Sequence, residues 1–315
     1  LLTDENNAVS AMVIDFGMIQ YSHDYMLALV AKENPVLSHQ INDTSSNIDT
    51  GKIQDKDYIG MAADSSVSYH IGNLKPGETK EIEFYLYIQE NKEIYKMHDV
   101  LEKIEQIKKI DYEKELNHTK SYWRKYVKEH AKLELKEETE YDKKIKNIYN
   151  RSILLFPLLT NEQTGGIQAA VEIDEEKTQC GRYAYCWPRD AVFITRAMDL
   201  VGMEKETEKF YKSFCKNTQS KNGMWEQRFY TDCRLAPCWG YQIDETASVV
   251  YGAYMHYQKT KEEKFLKDNV KMMEKATKYL EKYIENLLAI EEKEDLVKKE
   301  ILENKKEERE KIHVS

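Results

Sequence analysis

The sequence predicts an α+β chain of more than one domain, with strands first and helices after. Over residues 1–92 the apolar residues come in short runs rich in strand formers, or alternate with polar ones. From about Glu93 the apolar spacing changes to three and four, the period of a helix face. Nowhere do strand and helix signals alternate, which excludes a parallel α/β sheet.

Composition narrows the class. With 315 residues there is room for two domains and a sizeable core. The charged fraction of 33% and the low count of 12 Gly and 5 Pro fit a soluble, ordered chain. Mean hydropathy is -0.73. No apolar run approaches the ~20 residues of a membrane span. A net charge of -9 argues against a nucleic-acid partner, which needs a basic face. Five cysteines without CxxC spacing read as reduced thiols of a cytoplasmic protein with no metal or cofactor. Cys180/Cys186 and Cys233/Cys238 are only weak metal-site spacings. The opening residues LLTDENNAVS hold neither an initiator Met nor a signal-peptide pattern, so the chain reads as a fragment.

In chain order, SAMVIDFGMI (10–19) and YMLALVA (25–31) are strand-like apolar runs. Asn42 to Lys56 is polar and loop-like. Ile82, Phe84, Leu86 and Ile88 alternate with Glu83, Tyr85 and Tyr87, as in a half-buried strand. Lys75-Pro76-Gly77-Glu78 supplies the turn before it: Pro presets φ and Gly accepts a positive one. Such strands suggest an antiparallel sandwich.

Residues 93–135 read as a charged linker helix, with Trp123, Tyr126 and Val127 on one stripe. Ile145, Ile148 and Tyr149 continue the spacing into SILLFPLLT (152–160), a buried helix end. Asp190 stands where a helix ending at Gly202 needs its N-cap. Met203 to Phe214 is the next helix, followed by an aromatic loop over 215–244. Glu245 to Tyr257 is a helix with Ala and Gly suited to close packing, and Glu262 to Asn286 a long one. The charged remainder reads as a solvated, partly helical segment.

The stretch Gln179 to Tyr257 carries the chemistry. It holds three of the four tryptophans, all five cysteines, and the pairs Arg189-Asp190 and Asp244-Glu245 at helix starts. Aromatic faces beside carboxylates and guanidinium groups are what a sugar pocket requires: rings for C–H faces, charges for hydroxyls.

At YCWPRDA (185–191) the chain resembles glycoside hydrolase family 15, the glucoamylases and their bacterial, clostridial-type relatives. KSYWRKYVKEH (120–130), LLTNEQTGGIQAA (158–170), GMWEQRFYTD (223–232) and LAPCWGYQIDETA (235–247) carry the same resemblance. It implies an N-terminal β-supersandwich, with residues 1–92 its C-terminal part, then a linker helix over 93–135. Residues 136–315 would be the first half of an (α/α)6 barrel. The implied activity is release of glucose from non-reducing ends of an α-glucan or maltooligosaccharide, with inversion. Inversion needs an acid and a base carboxyl ~6.5–9.5 Å apart. The family's acid lies in a motif like YDLWEE and its base later; neither motif stands in this sequence, so a second chain completing the barrel is one expectation. A non-catalytic carbohydrate-binding or regulatory relative, or the remnant of an interrupted gene, is the alternative.

The resemblance makes Arg189 and Asp190 the pair that binds the terminal glucose, and Trp239 the pocket tryptophan. Trp187 packs below the Arg-Asp pair, or is purely structural. Trp225 and Arg228 lie nearer the rim. Glu245 is the one candidate proton donor, since a buried Glu beside Asp244 has its pKa raised; the family places its acid elsewhere, and the first turn of a helix favours such anions anyway. Two departures stand out. Gly181-Arg182 replaces two glycines, and Cys233 stands where a turn-forming Gly is commoner.

Overall fold

In the computed structural model, residues 10–21, 25–42, 44, 50–58, 64–90, 97–171, 183–238 and 240–313 are described, with side chains through 299. The chain divides into two compact units, Leu1–His118 and Thr119–Ser315.

In the first unit, the run expected as one strand over 10–19 is a hairpin. β1 (Ser10–Ile14) turns at Asp15-Phe16 into β2 (Gly17–Tyr21). Gly17 makes the close pairing with β3 (Tyr25–Ala31) possible, because a Cβ there would lie 2.0 Å from the Leu29 carbonyl oxygen. β4 (Val36–Ile41) and β5 (Ser65–Tyr69) form a separate two-stranded sheet, while β6 (Phe84–Glu90) pairs with β3 in the antiparallel order β1-β2-β3-β6. Gly77 has φ 83, as the Lys75–Glu78 turn demands. One sheet face, Ile19, Met26, Ala28 and Val30, packs on Val100 and Ile104 of α1 (Met97–Lys108).

The alternation in β6 is present with a consequence the pattern alone hides. The register sets Tyr85 opposite Val30 and Tyr87 opposite Ala28. The tyrosines therefore share the helix-covered face, and Tyr85 Oη donates to the Ile110 carbonyl at 3.0 Å. Phe84, Leu86 and Ile88 point the other way and are 45%, 60% and 57% exposed.

The linker expected as one helix is two. α1 ends at Lys108, and Asp111 accepts the Lys114 N–H at 3.1 Å to start α2 (Tyr112–His130). Within the second unit, Trp123, Tyr126 and Val127 are half-buried as their spacing predicts. α3 (Glu140–Leu159) begins with a capping box between Thr139 and Asp142. Its end is less buried than SILLFPLLT suggests. Ile153 is 1% exposed, but Leu155 and Leu158 are 49% and 63% exposed, because only one side of the helix is covered.

α4 (Pro188–Leu200) starts before Asp190, which is thus the third helical residue rather than the N-cap. Gly202 follows with φ 79. The helix expected over 203–214 is broken into α5 (Glu204–Lys209), a π-helical turn Phe210–Cys215, and α6 (Lys216–Thr218). The wider turn lets Phe210, Tyr211, Phe214 and Cys215 all reach the core. α7 (Ile243–Thr260) and α8 (Glu263–His313) both run longer than expected, and the charged remainder continues α8.

α4 and α7 run parallel and are tied near both ends. Near the N-termini, Arg189 meets Asp244 and Glu245. Toward the C-termini, buried His256 Nδ1 lies 2.9 Å from the Asp199 carboxylate. Ten residues on one helix and eleven on the other separate the ties, ~15 and ~16 Å at 1.5 Å per residue, so the helices keep one register. Between the ties the small residues allow the expected close packing. A Cβ at Gly252 would lie 2.3 Å from Tyr211 Oη and 2.6 Å from a Val192 methyl.

Gly252→Ala therefore forces a buried aromatic or the helix to move. Loss of about 1–3 kcal/mol of stability is expected, read from urea unfolding at constant slope. A variant as stable as the parent would show that the α4–α7 contact is loosely packed.

Candidate functional site

The site grows from two helix starts that lack caps of their own. Trp187 before α4 and Gln242 before α7 make no side-chain cap bond. Pro188 at the first position of α4 removes one orphan donor. The next, the Arg189 N–H, donates to Glu245 Oε2 at 2.7 Å. A side chain of one helix thus caps the other, and both N-terminal dipoles converge on the same carboxylates.

The Arg189 side chain completes the cluster. Nη1 donates to Asp244 Oδ2 at 2.6 Å and to Gln242 Oε1 at 3.4 Å. Nη2 stands 3.6 Å from both Asp190 Oδ2 and Glu245 Oε1. Side-chain exposure grades outward: Glu245 0%, Arg189 32%, Asp190 36%, Asp244 52%. Asp190 therefore offers its oxygens to solvent beside a guanidinium that Asp244 holds still.

Burial drives the Glu245 pKa up from 4.5 to about 7; the Arg189 backbone and charge oppose the rise, while Asp190 and Asp244 add to it. Burial works against the Arg189 charge, but the Asp244 hydrogen bond and the neighbouring carboxylates outweigh it and raise its pKa. One cation faces three carboxyls here, so a proton on Glu245 relieves like-charge repulsion. Among the described residues its Oε1 finds no hydrogen-bond partner, while its Oε2 is committed to the helix cap.

The other sequence candidates separate. Trp187 is 7% exposed and lies directly before the cluster, its ring 5.4 Å from the Arg228 guanidinium. Trp225 and Arg228 are both fully buried, correcting the rim position expected for them. Trp225 Nε1 donates to the Cys215 carbonyl at 2.9 Å within the core. Arg228 Nε donates to the Pro237 carbonyl at 2.6 Å, so its charge braces a loop. Trp239, Cys180 and Gly181-Arg182 lie outside the described residues. Cys233 has φ 77, the left-handed conformation that its glycine-like position implies. Among the described residues no group of three or more His, Cys, Asp or Glu could hold a metal ion, and no helix is long and apolar enough to cross a membrane.

Sequence reasoning missed the Asp199–His256 tie and the two partners of Arg189, Asp244 and Gln242. The distances in the chain, more than fifty residues, leave no local signal. The acidic first turn of α7 was visible; that it serves a second helix was not.

A solved bacterial glucoamylase complexed with acarbose aligns over 84% of this chain and 45% of its own, at 15% identity and TM-score 0.53. The fold is glucoamylase-like. An uncharacterized glycosyl hydrolase of Methanocaldococcus jannaschii is 27% identical over 237 residues, covering 74% of this chain and 36% of the relative. A solved wild-type glycosidase aligns over 45% of the chain at TM-score 0.37, too low to bear on the glucoamylase-like fold. No family model matches the chain. The chain spans under half the length of the glucoamylase and of the hydrolase relative.

The raised Glu245 pKa has a stability consequence with a definite sign. The folded state holds a proton that the unfolded state releases between pH 4.5 and about 7. Stability from this group is therefore greatest below 4.5, falls as pH rises to about 7, and is flat above, with a slope of at most about 1.4 kcal/mol per pH unit. Glu245→Gln keeps an acceptor for the Arg189 N–H and removes the proton, so this fall should vanish. Parallel thermal midpoints for the two proteins from pH 4.5 to 8 would contradict a proton held on Glu245.

Proposed function

We propose that this chain forms the sugar-clamping part of a family 15, glucoamylase-like glycoside hydrolase. The reaction is release of glucose from the non-reducing ends of α-glucans with inversion. In this reading the strands are part of a β-supersandwich, and α3 to α8 belong to the first half of an (α/α)6 barrel. The observation that carries it is the clamp: Arg189 held by Asp244 at 2.6 Å, with the half-exposed carboxylate of Asp190 beside it. A planar fork of donors next to two acceptor oxygens matches the vicinal hydroxyls of a sugar. The glucoamylase of like fold carries acarbose, an oligosaccharide analogue, which supports a carbohydrate ligand.

The cluster favours binding over proton transfer. An inverting acid must reach the glycosidic oxygen. Glu245 is wholly buried and spends one oxygen on the α4 cap, so we assign it to positioning Arg189. The acid and base then belong to the family's glutamate motifs. A second reading, favoured by the burial of Glu245, is a relative that binds glucans without cleaving them.

Calorimetric titration with acarbose and a glucose-release assay on maltooligosaccharides test this. Binding is expected in the millimolar range, and Asp190→Ala should weaken it by more than tenfold, ~1.4 kcal/mol. Glucose release should not exceed the buffer blank. Unchanged binding by Asp190→Ala would remove the clamp, and release abolished by Glu245→Gln would make Glu245 the acid.

A further inference from the structure

α8 runs for 51 residues, ~76 Å at 1.5 Å per residue, and only its first part packs on the rest of the fold. Phe265, Met272 and Ala276 are buried in the core, and the Tyr283 ring lies 6.1 Å from that of Tyr241. Every described residue from Ile284 to Lys299 is exposed. Local propensity does not explain so long an overhang. Most helix stability in proteins comes from packing one apolar face, and a pattern of this length points to a partner helix.

The overhang carries such a face. Ala276, Leu280, Tyr283, Leu287, Ile290 and Val297 follow one another at steps of 4, 3, 4, 3 and 7. With Glu294 in the last gap, this is the seven-residue repeat of a coiled-coil seam. The seam begins inside the fold at Ala276 and emerges after Tyr283. Leu287, Ile290 and Val297 are 45%, 54% and 52% exposed.

The charges beside the seam select its occupant. Lys293 borders it on one side, and Glu291 and Lys298 on the other. In a parallel, in-register pair of such helices, the two Glu294 carboxylates would meet in the seam. Lys293 would then face Lys298 of the second helix, so both contacts are repulsive. Reversing the second helix takes the Glu294 pair out of register. It also sets Glu291 beside Lys298 of the second copy, twice by symmetry. Lys298 can make this exchange, because its pair with Asp295 of its own helix is long, 3.5 Å, and open to water.

We propose that the part of α8 beyond Tyr283 is a docking surface for a second copy of this chain, the two forming an antiparallel two-helix coiled coil. The seam is independent of the sugar clamp, and its test uses no sugar.

Sedimentation velocity of the whole chain at low salt, from about 1 to 100 μM, tests this. The parent should pass from monomer to dimer across that range. Leu287→Asp combined with Ile290→Asp should stay monomeric at about 100 μM, with near-ultraviolet circular dichroism unchanged because both residues lie outside the core. Lys298→Glu should raise the dimer Kd about fivefold or more, and adding Glu291→Lys should return it to within about twofold of the parent. A parent that is monomeric at every concentration leaves the stripe to solvent or to a different partner, and overturns the proposal. A dimer that survives Leu287→Asp with Ile290→Asp uses another surface and overturns it equally. Lys298→Glu that tightens the dimer, or leaves it unchanged, would rule out the antiparallel seam.

Discussion

The hydrogen bond from the Arg189 backbone to Glu245 is the contact on which the site depends. Two helices that begin side by side present unpaired N–H groups and the positive ends of two dipoles. Neither has a capping side chain of its own. A single carboxylate, supplied by α7 and accepted by α4, answers both needs. It also fixes where Arg189 can stand, because backbone and guanidinium of the same residue meet neighbouring carboxyls of the same turn.

That solution has an electrostatic cost. A carboxylate taken wholly out of water loses hydration that one backbone donor and a guanidinium at 3.6 Å do not fully restore. The raised pKa expresses the shortfall. The surrounding structure can hold it because α4 and α7 are tied again at Asp199–His256, and packed without a spare methyl at Gly252. The two ends of the helix pair are thus coupled through register: sliding one helix would break the buried Asp199–His256 hydrogen bond in order to relax the other.

Much of this was legible in the residues, and what was not has physical reasons. The order of strands then helices, the Pro76-Gly77 turn, the Trp123 stripe and the acidic starts of α4 and α7 are local features, and local spacing reports them. The Asp15-Phe16 hairpin lay hidden because a lone Asp15 and Gly17 within a short apolar run do not by themselves show that the chain reverses. The inward face of β6 is tyrosine because β3 sets the register, a partner no pattern within β6 can name. Arg228 and Trp225 were placed near the rim by resemblance, and a matched motif does not report burial. Inside the fold, Trp225 Nε1 donates to the Cys215 carbonyl, and Arg228 Nε and Nη2 share the Pro237 carbonyl. Asp190 reads as an N-cap until Pro188 is seen to start the helix.

The same fact that misled the reading of Asp190 strengthens its assignment. An N-cap aspartate turns its oxygens back onto the first-turn N–H groups. At the third helical position, with Glu245 already on the Arg189 N–H, Asp190 is relieved of that duty. Arg189 Nη2 stays at 3.6 Å from it, beyond a hydrogen bond, because Asp244 draws the guanidinium the other way. What remains is a carboxylate beside a fixed cation, partly open to water, on a rigid helix start. A cap borrowed from another helix is therefore what leaves Asp190 available for a ligand.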